Sequence, residues 1–190
     1  MSSTIVADSQ SNKSKGEVID SPATMSGPTP GGPVATWRDS MVSPPPLSDA
    51  EAQYYYYGLP SGAPLVARTR SSPTPWEKPT GPQADWKRKR LGVADGHRMG
   101  EIWNDLAPKI CDILGEGQVE WTSIDVVRIG YRDDEHGNPE PVVLWIGIKP
   151  DTQVSYKVHY NTAFQCKKLL MDHDIVDVEV EMRESEVMLL

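Results

Sequence analysis

Apolar residues become periodic only in the second half of the chain. Between residues 97 and 188, Val, Ile, Leu and Trp recur at the spacings of helices and strands, in the order helix, strand, strand, helix, strand. The chain is therefore expected to contain one small α+β domain. Its α-β-β-α-β layout would form part of a ferredoxin-like two-layer sandwich.

Two stretches have the three- and four-residue apolar spacing of an amphipathic helix. The first runs from about His97 to Leu114. Pro108 should kink or break it, because proline lacks the N–H that a helix bonds back to the preceding turn. Gly115 and Gly117 should end this helix. The second stretch covers about residues 155–172.

Three segments have the composition of β-strands. Trp121–Arg132 is rich in Ile and Val, and Pro141–Ile148 is almost wholly apolar, as expected of a central strand covered on both faces. Val176–Glu184 alternates apolar and charged residues, which predicts a strand with one face in water. If this third strand lies beside the first, arginines of one could pair with glutamates of the other: Arg128 and Arg132 with Glu179 and Glu181.

The first half of the chain is too poor in apolar residues to form a core. It holds most of the 17 prolines, and ordering it would cost roughly 1–2 kcal/mol of backbone entropy per residue. Residues 1–53 are predicted to be a disordered tail rich in Pro, Ser and Gly. Residues 54–96 are predicted to be an extended arm or linker with a basic patch, and residues 97–188 the α+β domain.

Four consecutive tyrosines, Tyr54–Tyr57, stand at the start of the predicted arm. Two interpretations are equally open. Alternate rings could lie on the folded domain as an added strand, or the rings could form an exposed surface to which a partner docks.

The charge of the chain argues against a general nucleic-acid binder. Its formal net charge is −8, whereas polyphosphate partners need a positive surface. The basic residues are concentrated in the arm. There the patch Lys87, Arg88, Lys89 and Arg90 is a candidate nuclear-import or phosphate-contacting sequence, although such short runs are common in linkers.

Five Ser-Pro or Thr-Pro dipeptides lie in the first half of the chain and are candidate sites for proline-directed kinases. Ser72 and Thr74 are the better candidates, because phosphate there would neutralise the adjoining basic arm. The alternative is that these dipeptides occur by chance, since Pro and Ser dominate such segments.

No catalytic motif is present in the sequence. It has no nucleophile elbow, phosphate-binding loop or dinucleotide fingerprint, and its four histidines do not have metal-binding spacing. Cys111 and Cys166 fall in helical patterns and should be reduced, buried hydrophobes. We therefore expect no enzyme activity, no cofactor and no metal.

The opening residues are polar, so no signal peptide is predicted, and the longest wholly apolar run, Val142–Ile148, is too short to span a membrane. We expect an intracellular protein, cytoplasmic or nuclear, that binds no membrane and for which nucleic acid is a less favoured partner than protein. The sequence indicates neither the protein partner nor the oligomeric state.

Three parts of the chain resemble a family of uncharacterised fungal proteins. They are the arm from Leu59 to Pro82, the strands EWTSIDVVRIG and PVVLWIGIKP, and the terminal DVEVEMRES, which together span about Gly58–Glu186. The family has no established activity, so the resemblance implies no catalytic or binding residue. It implies that this unit is an N-terminal module of a longer chain, whose next region looks like a trypsin-type protease. This chain departs from that pattern by stopping soon after the last strand.

The leading hypothesis is a non-catalytic protein-interaction or regulatory module. The alternative is an accessory N-terminal domain of a larger, protease-like hydrolase whose catalytic part lies outside this chain. Nucleic-acid binding through the basic arm ranks third, because the domain itself is acidic.

Overall fold

A computed structural model describes residues 46–69, 76–82, 84–132 and 140–186, without the side chains of residues 85 and 86. Most of the predicted tail and both candidate phosphorylation sites, Ser72 and Thr74, lie outside the described residues.

One five-stranded sheet organises the described part of the chain. In chain order its strands are β1 (Leu65–Arg68), β2 (Lys89–Val93), β3 (Trp121–Tyr131), β4 (Val142–Ile148) and β5 (Glu179–Glu184). The spatial order is β1-β5-β4-β3-β2; β4 and β5 run parallel, and the other neighbours run antiparallel. The predicted α+β class is confirmed. The sheet nevertheless has two more strands than expected, because the segment 54–96 supplies both edge strands.

The described residues also form four α-helices: α1 (Asp49–Tyr54), α2 (Arg98–Glu101), α3 (Trp103–Glu116) and α4 (Tyr156–Asp172). The side chain of Ser48 begins α1 by accepting a hydrogen bond from the N–H of Glu51 at 3.1 Å. The predicted boundary between tail and arm, at residue 53, falls inside this helix. Ordered structure therefore begins earlier than the composition indicated.

The first helical stretch is interrupted, but not at Pro108. Ile102, with φ −108° and ψ 13°, separates α2 from α3, and Pro108 lies inside α3. The absent N–H of Pro108 would have bonded the carbonyl of Asn104, an exposed residue in the first turn of α3. The expected break at Pro108 therefore does not occur, and a kink there stays a prediction. The helix ends as predicted, with Gly117 as its C-cap.

The main core lies between one face of the sheet and helices α3 and α4. Its innermost side chains are fully buried, and burial stabilises each large aliphatic one by about 1.5–3 kcal/mol relative to exposure. They come from both layers: Leu106, Ile110 and Leu114 of α3, Ala163, Cys166 and Leu170 of α4, Leu144, Ile146 and Ile148 of β4, and Val180 and Met182 of β5.

Strand β5 is buried on both faces. Val180 and Met182 contact the main core, as the alternating pattern predicted. Glu181, on the opposite face, is only 4 % exposed, so the prediction of a face in water is wrong. Strand β5 also lies between β1 and β4 rather than beside β3, so the predicted pairing of Arg128 with its glutamates does not occur. The opposite face is covered by a segment that the sequence assigned to the tail and arm.

Candidate functional site

Residues 46–59 cross the sheet face that lies opposite α3 and α4, and we call this segment the tyrosine strap. At the β1 edge, Glu51 pairs with Arg68 at 2.9 Å. At the β2 edge, the N–H of Lys89 donates to the carbonyl of Tyr57 at 2.7 Å. Between the two edges, apolar strap residues pack on the sheet and form a second core: Tyr56 and Leu59 with Leu65, Ile129, Val143 and Trp145.

A buried carboxylate holds the strap to the middle of the sheet. The hydroxyls of Tyr55 and Tyr56 donate to the two oxygens of Glu181 at 2.5 and 2.8 Å. Burial, reinforced by the charge of Glu181, raises the pKa of both tyrosines well above their usual value. Two of the four tyrosines thus lie on the domain, but they are adjacent residues and not the alternate rings of the first interpretation. They do so from a helix end and a turn rather than from a strand.

The predicted basic patch Lys87–Arg90 does not form one surface. Strand alternation turns Lys89 to the strap side, where it is buried with its ammonium 3.2 Å from the ring centroid of Tyr55. Burial, opposed by the charge of Glu181, lowers the pKa of Lys89 to about 8. Lys89 is therefore packed against the strap, and the other three basic residues of the patch are exposed.

Arginines of β2 and β3 come together on the helix side of this strand pair. Directly opposed residues of an antiparallel pair project to the same face. Three opposed pairs on this face carry arginine or glycine: Arg88 with Arg132, Arg90 with Gly130, and Gly92 with Arg128. We call Arg90, Arg128 and Arg132 with the two glycines the arginine face, because the guanidinium of Arg88 instead lies 5.7 Å from the ring centroid of Tyr57 in the strap.

A single described carboxylate lies on the arginine face. The side chain of Glu140 covers both glycines: an added Cβ would lie 2.5 Å from its Cγ at Gly130 and 3.2 Å from its Oε2 at Gly92. Arg90 Nε donates to the carboxylate, and Arg128 donates to the main-chain carbonyl of Glu140 at 2.6 Å. The absent side chains of Gly92 and Gly130 therefore leave room for an anionic group between arginines.

Strand β2 is an edge strand whose outer side is partly open. The N–H of Lys89 points outward, to Tyr57, so by alternation the N–H and C=O groups of Leu91 and Val93 also point outward. No other segment of the described residues pairs with them. On the strap side of the sheet, the side chains of Leu91 and Val93 are 48 % and 74 % exposed. This edge combines unpaired backbone groups with exposed apolar side chains.

A cavity of about 340 Å³ lies at the end of β2, next to the arginine face. Trp103 of α3 lines it together with Ile124 and Val126 of β3. Val126 precedes Arg128 by two residues, so it projects to the same side of the strand. The edge strand is thus bordered on its helix side by arginines and, at its end, by this cavity, whose lining also includes Asp95 and Asp125.

Sequence reasoning identified only part of this surface. Arg90 belongs to the predicted patch, whereas Arg128 and Glu140 lie outside it. A signal for the arginine face does exist. The motif R-x-R-x-G at 88–92 is complementary, in antiparallel register, to R-x-G-x-R at 128–132.

The other candidate chemistry has no place on this surface. Within the described ranges, no group of three or more His, Cys, Asp and Glu is arranged to hold a metal ion. Cys111 and Cys166 are not joined in a disulfide, and burial raises the pKa of the Cys166 thiol to about 12. His136 lies outside the described residues. None of the described helices has the length and apolar character needed to cross a bilayer.

Comparison with known proteins identifies no relative. No protein-family model, curated protein or solved structure matches the chain. The resemblance to a fungal family and the hydrolase alternative therefore stay predictions.

Proposed function

We propose that this chain is a non-catalytic protein-interaction module that binds an extended peptide segment of a partner along the outer edge of β2. The observation that supports this function is the exposure of Leu91 and Val93 on a strand whose outward backbone groups are unpaired among the described residues. Open sheet edges of this kind are templates for the addition of another strand.

The peptide would pair with a short part of β2. Tyr57 occupies the outward N–H of Lys89, so strand addition is limited to the stretch between that residue and Val93. Backbone hydrogen bonds to Leu91 and Val93 would supply affinity that does not depend on the peptide sequence. Sequence preference must then come from the side chains of the peptide.

Alternate side chains of the added strand would meet two different surfaces. Those on the strap side would cover the exposed parts of Leu91 and Val93. Those on the helix side would meet the arginine face and the cavity beside Trp103. The fitting partner is therefore a segment with apolar residues at alternate positions. We further propose an intracellular setting, cytoplasmic or nuclear, which the two unpaired cysteines support.

Selection from a random peptide library on the immobilised full chain tests this function. The selected peptide is then titrated calorimetrically against variants of β2. Val93→Pro removes an outward N–H without removing a bond to β3, a change that edge strands tolerate. We expect this variant to abolish binding. Val93→Ser should weaken binding several-fold, by about 1 kcal/mol, because it removes only apolar contact.

Val176→Ser is the matched control, since Val176 is 67 % exposed and lies outside the sheet. It should bind the peptide like the unmodified chain. Equal binding by Val93→Pro and Val176→Ser would place the peptide elsewhere and refute the proposal, as would a selection that yields no peptide. Sedimentation velocity tests whether a second copy of the chain binds at the β2 edge instead. If Val93→Pro instead abolishes self-association, the edge binds a second copy and not a partner peptide.

A further inference from the structure

We infer, resting on the proposed function, that the cavity beside Trp103 receives the basic side chain of an arginine or lysine in the bound peptide. Three features support this ligand: the place of the cavity at the end of the edge strand, its aliphatic and aromatic walls, and the carboxylate of Asp95. The partner segment then combines apolar residues, which cover Leu91 and Val93, with one basic residue at the end of the paired stretch.

The cavity lies where a side chain of the peptide would reach it. A strand that pairs with the outward groups of Leu91 and Val93 places its residue opposite Val93 on the strap side. By alternation, the next peptide residue lies beside Ala94 and projects to the helix side. Both Val93 and Ala94 line the cavity. One side chain at the end of the added strand can therefore enter it while the peptide backbone stays at the sheet edge.

The walls of the cavity fit a long side chain with a cationic head. Ile124 and Val126 of β3 pack against the main core but are only partly buried, and both line the cavity. They would contact the methylene stem of an arginine or lysine, which is apolar along its length. Trp103 lines the same cavity, and among aromatic rings an indole attracts a cation most strongly.

The charge of the described lining is negative. It includes Asp95 and Asp125 and no lysine or arginine. The carboxylate of Asp125 lies 4.0 Å from the guanidinium of Arg183, so a cation of the fold already partly balances it. Asp95 is exposed, and its side chain forms no ion pair or hydrogen bond with the described residues. A basic side chain in the cavity would give Asp95 a charge-assisted partner, whereas an acidic one would be repelled.

Three oriented peptide libraries test this ligand. All have random residues around a fixed centre, which is arginine in the first, citrulline in the second and phenylalanine in the third. Citrulline has nearly the shape of arginine without its charge. We expect the full chain to retain the arginine library most strongly. The best arginine peptide should bind about tenfold more tightly than its citrulline counterpart, and salt should reduce this difference.

A substitution at Asp95 then assigns the effect of charge. Asp95→Asn should lower the affinity for the arginine peptide to that for the citrulline peptide, and it should leave the affinity for the citrulline peptide unchanged. Asp112→Asn is the matched control, since Asp112 is an exposed aspartate of α3 that does not line the cavity. It should change neither affinity.

Filling the cavity tests its role independently of charge. Gly100 lines the cavity, and an added Cβ there has no atom within 4 Å. Gly100→Leu should therefore remove the advantage of the arginine peptide and leave the weaker binding at the edge of β2. Gly115→Leu is the control, because Gly115 is a helical glycine with equally open space and lies outside the cavity. It should keep the preference for arginine.

The outcomes distinguish the ligand of the cavity from binding at the edge. Equal affinities for the arginine and citrulline peptides would overturn this inference and leave the interaction at β2 intact. A preference for the phenylalanine library would also overturn it, since an aromatic side chain would then fill the cavity. An unchanged preference for arginine in Asp95→Asn would place the basic residue elsewhere and likewise refute it. If no library binds, the proposed function fails together with the inference.

Discussion

The hydroxyl of Tyr56 donates to Glu181 across 2.8 Å, although 125 residues separate the two in the chain. Tyr55 donates to the other carboxylate oxygen at 2.5 Å. A buried carboxylate is tolerated only while its hydrogen-bond donors remain in place. This pairing therefore couples the docking of the tyrosine strap to the stability of the sheet.

Tyr56→Phe should lower the free energy of unfolding by about 1–3 kcal/mol, because it leaves a buried carboxylate oxygen without its donor. Urea denaturation followed by tryptophan fluorescence measures this change. Tyr54→Phe is the control, since the hydroxyl of Tyr54 bonds to none of the described residues and its ring, which contacts Lys78, is kept. The control should change stability by less than about 0.5 kcal/mol. Equal effects of the two variants would contradict the role assigned to Glu181.

Deprotonation of Lys89 should stabilise the protein as the pH rises above about 8. The pKa of Lys89 is about 8 in the folded protein, against 10.5 for the free side chain. Between these values the unfolded chain binds more protons than the folded one, so the free energy of unfolding increases with pH. Tyr55 and Tyr56 act in the opposite sense above about pH 10, because their raised pKa values keep protons that the unfolded chain releases.

Urea denaturation between about pH 7 and pH 10 measures this dependence. The unmodified chain should gain on the order of 1–3 kcal/mol over this range. Lys89→Met should show a flatter profile, because the titrating group is gone. Parallel profiles for the two proteins would show that Lys89 keeps an ordinary pKa in the fold.

Gly147→Ala should destabilise the centre of the sheet. An added Cβ would lie 2.7 Å from the hydroxyl oxygens of Thr122 and Ser123 and 2.8 Å from the Cβ of Ser185. Such overpacking costs about 1–3 kcal/mol of unfolding free energy. Gly115→Ala is the matched control, because nothing lies within 4 Å of its added Cβ and alanine favours the helix by about 0.5–1 kcal/mol. The midpoint of thermal denaturation should fall for Gly147→Ala and rise for Gly115→Ala.

Gly58→Ala should loosen the strap at the β2 edge. Gly58 has φ +98°, and an added Cβ would lie 2.7 Å from the Cβ of Arg88. Gly62→Ala also introduces alanine at positive φ, +52°, but in open space. Both variants should be strained, and only the first should also increase amide exchange at Tyr57 and Lys89. Hydrogen exchange measured by mass spectrometry on both variants tests this difference, and identical exchange would show that the contact with Arg88 is unimportant.

The local patterns predicted the central elements correctly, because hydrophobic periodicity is read within a short window. Val142–Ile148 is a fully buried strand, and α4 covers the predicted stretch. The partners of these elements could not be predicted in the same way. Glu181 is buried because of Tyr55 and Tyr56, which precede it in the chain by 126 and 125 residues. The alternation of β5 is the same whether its second face lies in water or under a strap.

The candidate surface was predicted least well, for a related reason. The run Lys87–Arg90 has the composition of a solvated linker. Only its pairing with β3 shows that Lys89 is buried while its two neighbours are exposed. Arg128 and Glu140 join Arg90 through a register that composition does not specify. Edge strands are short and weakly patterned, so their assignment requires knowledge of the strand beside them.

The order of pairing has a consequence for synthesis on the ribosome. β1 is the first strand to be made, and its neighbour in the sheet is β5, the last. The strap likewise needs Glu181 before its two tyrosines can be buried. A nascent chain that has not yet released β5 must therefore hold its aromatic strap and first strand in water, open to chaperones and proteases. Translation almost to the end of the domain is the condition for its cooperative folding.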